Sequence, residues 1–224
     1  MGQTITLTAS DGFKLGGYRA DPSQKAKGAI VVIQEIFGVN SHIRSVCDRF
    51  AQEGYVAIAP AIFDRIQPGF ESGYSPDEVA HARTFIAAPD FAAYLRDTQA
   101  AIDAVKNEGP VGIVGFCLGG SVAYAAATKL SGLSVAIGYY GGAIVRFADD
   151  KPKVPTQLHF GEKDAGIPLT DVEAIRAKRP DVDIHIYPGA QHGFNCEERA
   201  SYDKASAELA RQRSVEFLGK YLKK

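Results

Sequence analysis

The sequence predicts an α/β fold, a mostly parallel, doubly wound sheet with helices on both faces, on three observations. Apolar, β-branched runs alternate with stretches of helical spacing. Three of those runs are nearly continuously apolar, as strands covered on both faces must be. About six strand–helix units can be counted, short of the eight that a closed (β/α) barrel requires.

The elements follow in order. Residues 4–7 and 14–19, around Asp11-Gly12, read as a short hairpin. Strands are expected at 29–34 (AIVVIQ), 56–59 (VAIA), 111–115 (VGIVG), 135–140 (VAIGYY), 156–161 (TQLHFG) and 182–187 (VDIHIY). Helical spacing covers 41–53, 76–86, 91–105, 118–130, 169–178 and 201–222. The segment 61–90 carries three prolines and is long for a plain loop, so it reads as a partial lid beside the strand ends. No repeat, low-complexity tract or like-charge block divides the chain, and 224 residues suit one domain spanning 1–224.

Composition narrows the function classes. Twenty-five basic against 26 acidic residues give a net charge of -1, so no whole-chain field attracts nucleic acid or an anionic membrane. The N-terminal residues lack a basic and apolar leader, no run approaches the ~20 apolar residues of a membrane span, and the chain reads as cytoplasmic. Cys47, Cys117 and Cys196 form no C-x-x-C pair, which argues against a disulfide framework or a structural zinc site. A small molecule is the expected partner, and the protein is expected to be a monomer or small homo-oligomer.

The chemistry concentrates in VGIVGFCLGGSVAYAAA, where an apolar strand runs straight into an Ala-rich helix through Gly115-Phe116-Cys117-Leu118-Gly119. This is the pattern of a nucleophile elbow, with Gly two positions either side of the nucleophile and Cys where Ser more often stands. A thiol at a helix N-terminus meets unpaired N–H groups and the positive end of the dipole, which favour the reactive thiolate. In the α/β-hydrolase order the acid and then the histidine follow the nucleophile. Asp164 stands directly after the run TQLHF and His192 directly after VDIHIY, so all three belong at the carboxyl edge of the sheet. Glu162 and Asp171 are rival acids. His159 and His185 fall inside strands and His42 and His81 in or near helices, positions that suit packing. Backbone N–H groups of Ile36 and Leu118 are the expected oxyanion donors, and Glu35 ends the strand that delivers Ile36.

QEIFG with Glu35, GFCLGG with Cys117, GYYGG at 138–142, GEKD with Asp164 and QHGF with His192, in that order, resemble the dienelactone hydrolases (carboxymethylenebutenolidases) over nearly the whole chain. The resemblance implies an α/β-hydrolase fold and a Cys117-His192-Asp164 triad that opens an unsaturated lactone without metal or organic cofactor. In this family's degradation pathways for chlorinated aromatic compounds the product is maleylacetate. It further implies that Glu35 contacts the resting thiol and controls its ionisation. Relatives acting on dienelactone hold its carboxylate with arginines, one of them four residues after the histidine; here that place is Cys196. Arg65, Arg83 and Arg199 are the candidates to replace it. A general thiol carboxylesterase or thioesterase of the same fold is the alternative enzyme, and a non-catalytic ligand-binding protein of that fold the alternative outside enzymology.

Overall fold

The computed structural model describes residues 2–223. Strands β1 (Gln3–Thr8) and β2 (Lys14–Ala20) form the antiparallel hairpin, and β2 continues antiparallel onto β4 (Val56–Pro60). From β4 onward every pairing is parallel: β4 with β3 (Ala29–Ile33), then β5 (Val111–Phe116), β6 (Leu133–Tyr139), β7 (Thr156–Gly161) and β8 (Asp183–Tyr187). The eight-stranded order is β1-β2-β4-β3-β5-β6-β7-β8. The predicted mixed sheet is therefore present, and the expected strands are found to within two residues at each end.

Side-chain alternation splits the core between the two faces. Along β3, Ile30 and Val32 join one apolar cluster while Ala29, Val31 and Ile33 join the other; along β5, Val114 and Phe116 oppose Val111 and Ile113. Helix α1 (Ser41–Gln52) supplies Ile43 and Val46 to the first cluster. Helix α3 (Phe91–Val105) supplies Tyr94, Ala101 and Ile102 to the second. Helix α4 (Leu118–Lys129) packs against β3, β5 and β6 and is almost wholly buried, as its Ala-rich sequence permits. Helix α5 (Ile144–Phe147) has only four residues and escaped the sequence reading, because one turn is too short to show a helical period. Helix α6 (Leu169–Lys178) precedes β8, and α7 (Lys204–Tyr221) closes the chain against β6 and β7, starting three residues later than expected at the N-cap Asp203.

Segment 61–90 holds one helix, α2 (Pro76–Thr84), begun by a capping box between Ser75 and Glu78 with Pro76 at the first position. It ends two residues short of the expected 76–86. Phe63, Phe70 and Phe85 stack beneath it, with the Phe70 and Phe85 rings 4.1 Å apart, so aromatic packing fixes the segment to the body.

A buried polar network ties α7 to the sheet. The Tyr139 and Ser214 hydroxyls lie 2.6 Å apart, Ser214 Oγ is 3.1 Å from His159 Nε2, and His159 Nδ1 is 2.7 Å from the Tyr187 hydroxyl. Burial pushes His159 well below the usual 6.5, and burial pushes His42 in the same direction despite Glu35 nearby. Unfolded chains take up these protons below about pH 6.5 while the folded protein resists them, so this contribution is present above pH 6.5 and is lost as the pH falls below it. Urea unfolding free energies are expected to drop from pH 7 to pH 5 by up to about 1.4 kcal/mol per pH unit for each such histidine. His159→Gln flattens that slope; a slope unchanged by the substitution would show that His159 does not drive it.

Candidate active site

Cys117 joins β5 to α4 with φ 56° and ψ -117°, a conformation that costs a non-glycine residue roughly 1–3 kcal/mol. The neighbourhood enforces it. A Cβ on Gly119 would fall 2.3 Å from the Ile33 carbonyl oxygen, and one on Gly115 would fall 1.9 Å from that of Gly119. The first turn of α4 thus touches the end of β3 backbone to backbone. The Cys117 N–H donates to the Tyr139 oxygen at 3.0 Å, and its own carbonyl accepts from Gly120 at 3.0 Å.

The three residues expected to act together meet here. His192 Nε2 lies 3.2 Å from Cys117 Sγ, and His192 Nδ1 lies 2.7 Å from Asp164 Oδ2. The Asp164 side chain is fully buried, and its other oxygen accepts the Gly166 N–H at 2.8 Å. Burial opposes a charged imidazole at His192, but the sulfur of Cys117 and the carboxylate of Asp164 outweigh it and raise His192 to about 10. This arrangement favours an imidazolium facing the Cys117 sulfur. Of the rival acids, Glu162 accepts the Gly189 N–H at 2.9 Å, and Asp171 sits in the first turn of α6.

Ile36 and Leu118 both line the space around Cys117. Among the described residues neither N–H meets a hydrogen-bond acceptor. That leaves both free for a ligand oxygen.

Glu35 is buried, but its carboxylate is engaged away from the thiol: Oε1 accepts from Arg199 Nη1 at 2.9 Å and Oε2 from the Tyr74 hydroxyl at 3.3 Å. The implied contact between Glu35 and the resting thiol is thus replaced by an ion pair, because a guanidinium competes better than a thiol for a buried carboxylate. Arg199 reaches Glu35 across Gly193, where a Cβ would fall 2.3 Å from Arg199 Nη1. Cys196 is fully buried and does not line the cleft, so the position four residues after the histidine receives no substrate here.

Of the three candidate arginines, Arg83 and Arg199 line a cleft of about 460 Å³ that also exposes Ile36, Phe37, Cys117 and His192. Arg65 does not: Asp97 and Asp11 bind its guanidinium, with Nη2 2.8 Å from Asp97 Oδ1, so its charge is already answered. An adjoining cleft of about 220 Å³ shares Cys117 and His192 and adds Phe91, Leu118, Ser121 and Arg146.

Sequence reading missed Arg146, Tyr74 and Tyr140. Tyr140, within GYYGG, holds φ 38°, packs its ring 5.1 Å from that of His192, and buries a hydroxyl with no hydrogen-bond partner among the described residues. Its position next to a glycine pair was the available signal. Tyr74 gave none, since only the fold brings it to Glu35.

The ion pair is asymmetric: Glu35 is 1% exposed, whereas Arg199 is 19% exposed and retains contact with water. Arg199→Met, which strands the carboxylate, is expected to cost about 3–5 kcal/mol in urea unfolding. Glu35→Gln should cost less, and the double variant should recover part of the Arg199→Met loss. Equal losses in the two single variants would contradict this account.

Comparison with known proteins identifies the family. The family model described as "Dienelactone hydrolase family" matches residues 15–222. The "Carboxymethylenebutenolidase" of Pseudomonas putida is 30% identical over 96% of this chain and 94% of its own. A Synechocystis protein named "Putative carboxymethylenebutenolidase" is 37% identical over 98% of this chain and 97% of its own. A crystal structure from Klebsiella pneumoniae, described as a "Putative Dienelactone Hydrolase", superposes with a TM-score of 0.84 at 30% identity, covering 99% of this chain and 100% of that one. With its eight-stranded α/β-hydrolase sheet and these full-length relatives, the chain belongs to the dienelactone hydrolase family.

Proposed function

We propose that the protein hydrolyses activated carboxylic esters, with enol lactones as the best substrates, through Cys117, His192 and Asp164. The observation that carries this reading is the continuous chain from Asp164 through His192 to a sulfur held on a strained turn at a helix N-terminus. The Cys117 thiolate attacks the carbonyl carbon, and the N–H groups of Ile36 and Leu118 receive the negative oxygen. The carbon–oxygen bond then breaks, His192 protonates the departing oxygen, and an acyl-thioester remains on Sγ. Water, deprotonated by His192, releases the acid and restores the thiolate. No step calls on a metal or organic cofactor. Asp164 fixes the tautomer of His192 and stabilises its imidazolium.

A thiolate is a better leaving group than an alkoxide, so a tetrahedral adduct on Cys117 returns to substrate unless the departing oxygen is itself stable. An enolate is, which favours an enol lactone over a simple alkyl ester. The charge around the clefts also selects. Arg83, Lys163 and Arg199 border one and Arg146 the other, so a substrate bearing a carboxylate finds cations on both sides of the sulfur. Arg199 is held by Glu35, whereas Arg83, on α2, has no ion-pair partner among the described residues and is open to such a group.

Iodoacetamide is expected to alkylate Cys117 far faster than the other two thiols, which are fully buried and, for Cys196, pushed up to about 11 by that burial. Turnover of an enol lactone and of an aryl ester should vanish in step with that alkylation. His192→Ala should lower kcat about a hundredfold or more while leaving the fold intact. Loss of activity with Cys117 unmodified by mass spectrometry would refute the assignment, as would unimpaired turnover in Cys117→Ala.

Charge selection is tested separately. Arg83→Gln is expected to lower kcat/KM for a carboxylate-bearing lactone by about tenfold, the scale of one charge-assisted contact, and to leave the methyl ester of that lactone unaffected. Equal effects on acid and ester would assign Arg83 to packing of α2.

A further inference from the structure

We propose that Glu35, His42 and Cys196 form a buried site for a soft divalent cation of the zinc class, distinct from the Cys117 sulfur. One carboxylate oxygen, one imidazole nitrogen and one thiol sulfur lie within 4.8 Å of one another. This mixed oxygen, nitrogen and sulfur set is what zinc accepts, and a harder cation such as magnesium or calcium would not choose the sulfur or the imidazole. All three residues are buried, at 1%, 2% and 0% exposure for Glu35, His42 and Cys196.

The second observation is His42 itself. Its Nε2 is buried and has no hydrogen-bond partner among the described residues, although a carboxylate and a thiol lie close by. A buried ring nitrogen left unmatched is a standing cost to the folded state, and a cation coordinated through that nitrogen removes it. An imidazole ligates in its neutral form. The carboxylate and a thiolate each bring one negative charge to a dication, and because Arg199 already pairs with Glu35 the cation has to share that carboxylate with the guanidinium.

Binding balances simply. The S–H bond of Cys196 breaks, its proton leaves to solvent and a sulfur–metal bond forms. The six-coordinate hydrated cation releases five waters, takes three protein donors and keeps one water at its fourth position, while Glu35 gives up a hydrogen bond from Arg199 or Tyr74 to bind it. Bond lengths of about 2.0–2.3 Å require the donors to draw together. Tyr74, whose hydroxyl contacts Glu35, Asn40 and Cys196, closes the cluster on the side of segment 61–90, so entry requires that cover to open and should be slow. The inference does not rest on the proposed hydrolysis, because Cys117 and His192 supply none of the ligands. The sequence argued against a zinc site because no C-x-x-C pair is present; here the ligands come from the end of β3, the start of α1 and the loop after β8.

The test uses Cys117→Ala, Cys47→Ala protein, in which Cys196 is the only thiol left of three. Titration with Co²⁺ should give one equivalent bound with a near-ultraviolet thiolate-to-cobalt band, displaced by Zn²⁺. Adding His42→Ala should weaken binding by at least about tenfold, the lower end of what disturbing a metal site costs. Circular dichroism verifies that each variant is folded. Absence of the band in the Cys196-only protein overturns the proposal. So does a band seen in the parent that disappears with Cys117→Ala alone, since the cation would then belong to the Cys117–His192 pair.

Discussion

The backbone contact between the first turn of α4 and the end of β3 is the constraint on which the site depends. Because Gly119 lies against the Ile33 carbonyl, the turn after β5 has no room to relax, and Cys117 is held at positive φ with its sulfur projecting from the sheet edge. The same contact brings the loop after β3, with Ile36, level with the helix N-terminus at Leu118. The Cys117 sulfur and both free N–H groups are therefore fixed by one piece of packing. Asp164 and His192 follow β7 and β8, and the parallel registers of β6 with β7 and of β7 with β8 set their height along the edge.

Electrostatics then divides the site into two compartments. Around Cys117, the raised imidazole of His192 and the positive end of the α4 dipole both face the sulfur. Behind it, Glu35 carries a buried negative charge that Arg199 compensates, with Tyr74 as a further donor. Keeping these apart lets the sulfur respond to His192 without a second anion at hydrogen-bond distance. Tyr140 sits at the boundary, packed on His192 and with its hydroxyl unmatched.

Much of this was legible in the sequence, and the failures share a cause. The alternation of apolar runs gave the sheet, and the glycines flanking Cys117 gave the elbow, because these are local patterns with a fixed period or spacing. Asp164 and His192 were found because each follows a strand directly, so strand position already places it at the edge. Arg65 was not separable from Arg83 by sequence, since what decides between them is a salt bridge to Asp97, 32 residues away. Glu35 was placed at the site by its strand, but its partner is 164 residues distant and no pattern announces it. Segment 61–90 was recognised as unusual by its prolines, yet the aromatic stack that fixes it involves spacings that no regular period describes.

The position of His192 has a consequence of its own. β8 is the edge strand, bonded on one side only, and the loop that follows it carries the one residue that must move protons in both halves of the proposed cycle. Strand edges open before sheet centres do, since fewer ladder bonds hold them. Cys117, by contrast, is anchored between β5 and α4 at the middle of the sheet. An excursion at the periphery would therefore separate histidine from sulfur while Cys117 stays in place, leaving a folded molecule whose sulfur has lost its imidazole. On the proposed mechanism, activity depends on the pairing of β8 and on the loop that follows it, and it is expected to lapse before the protein as a whole gives way.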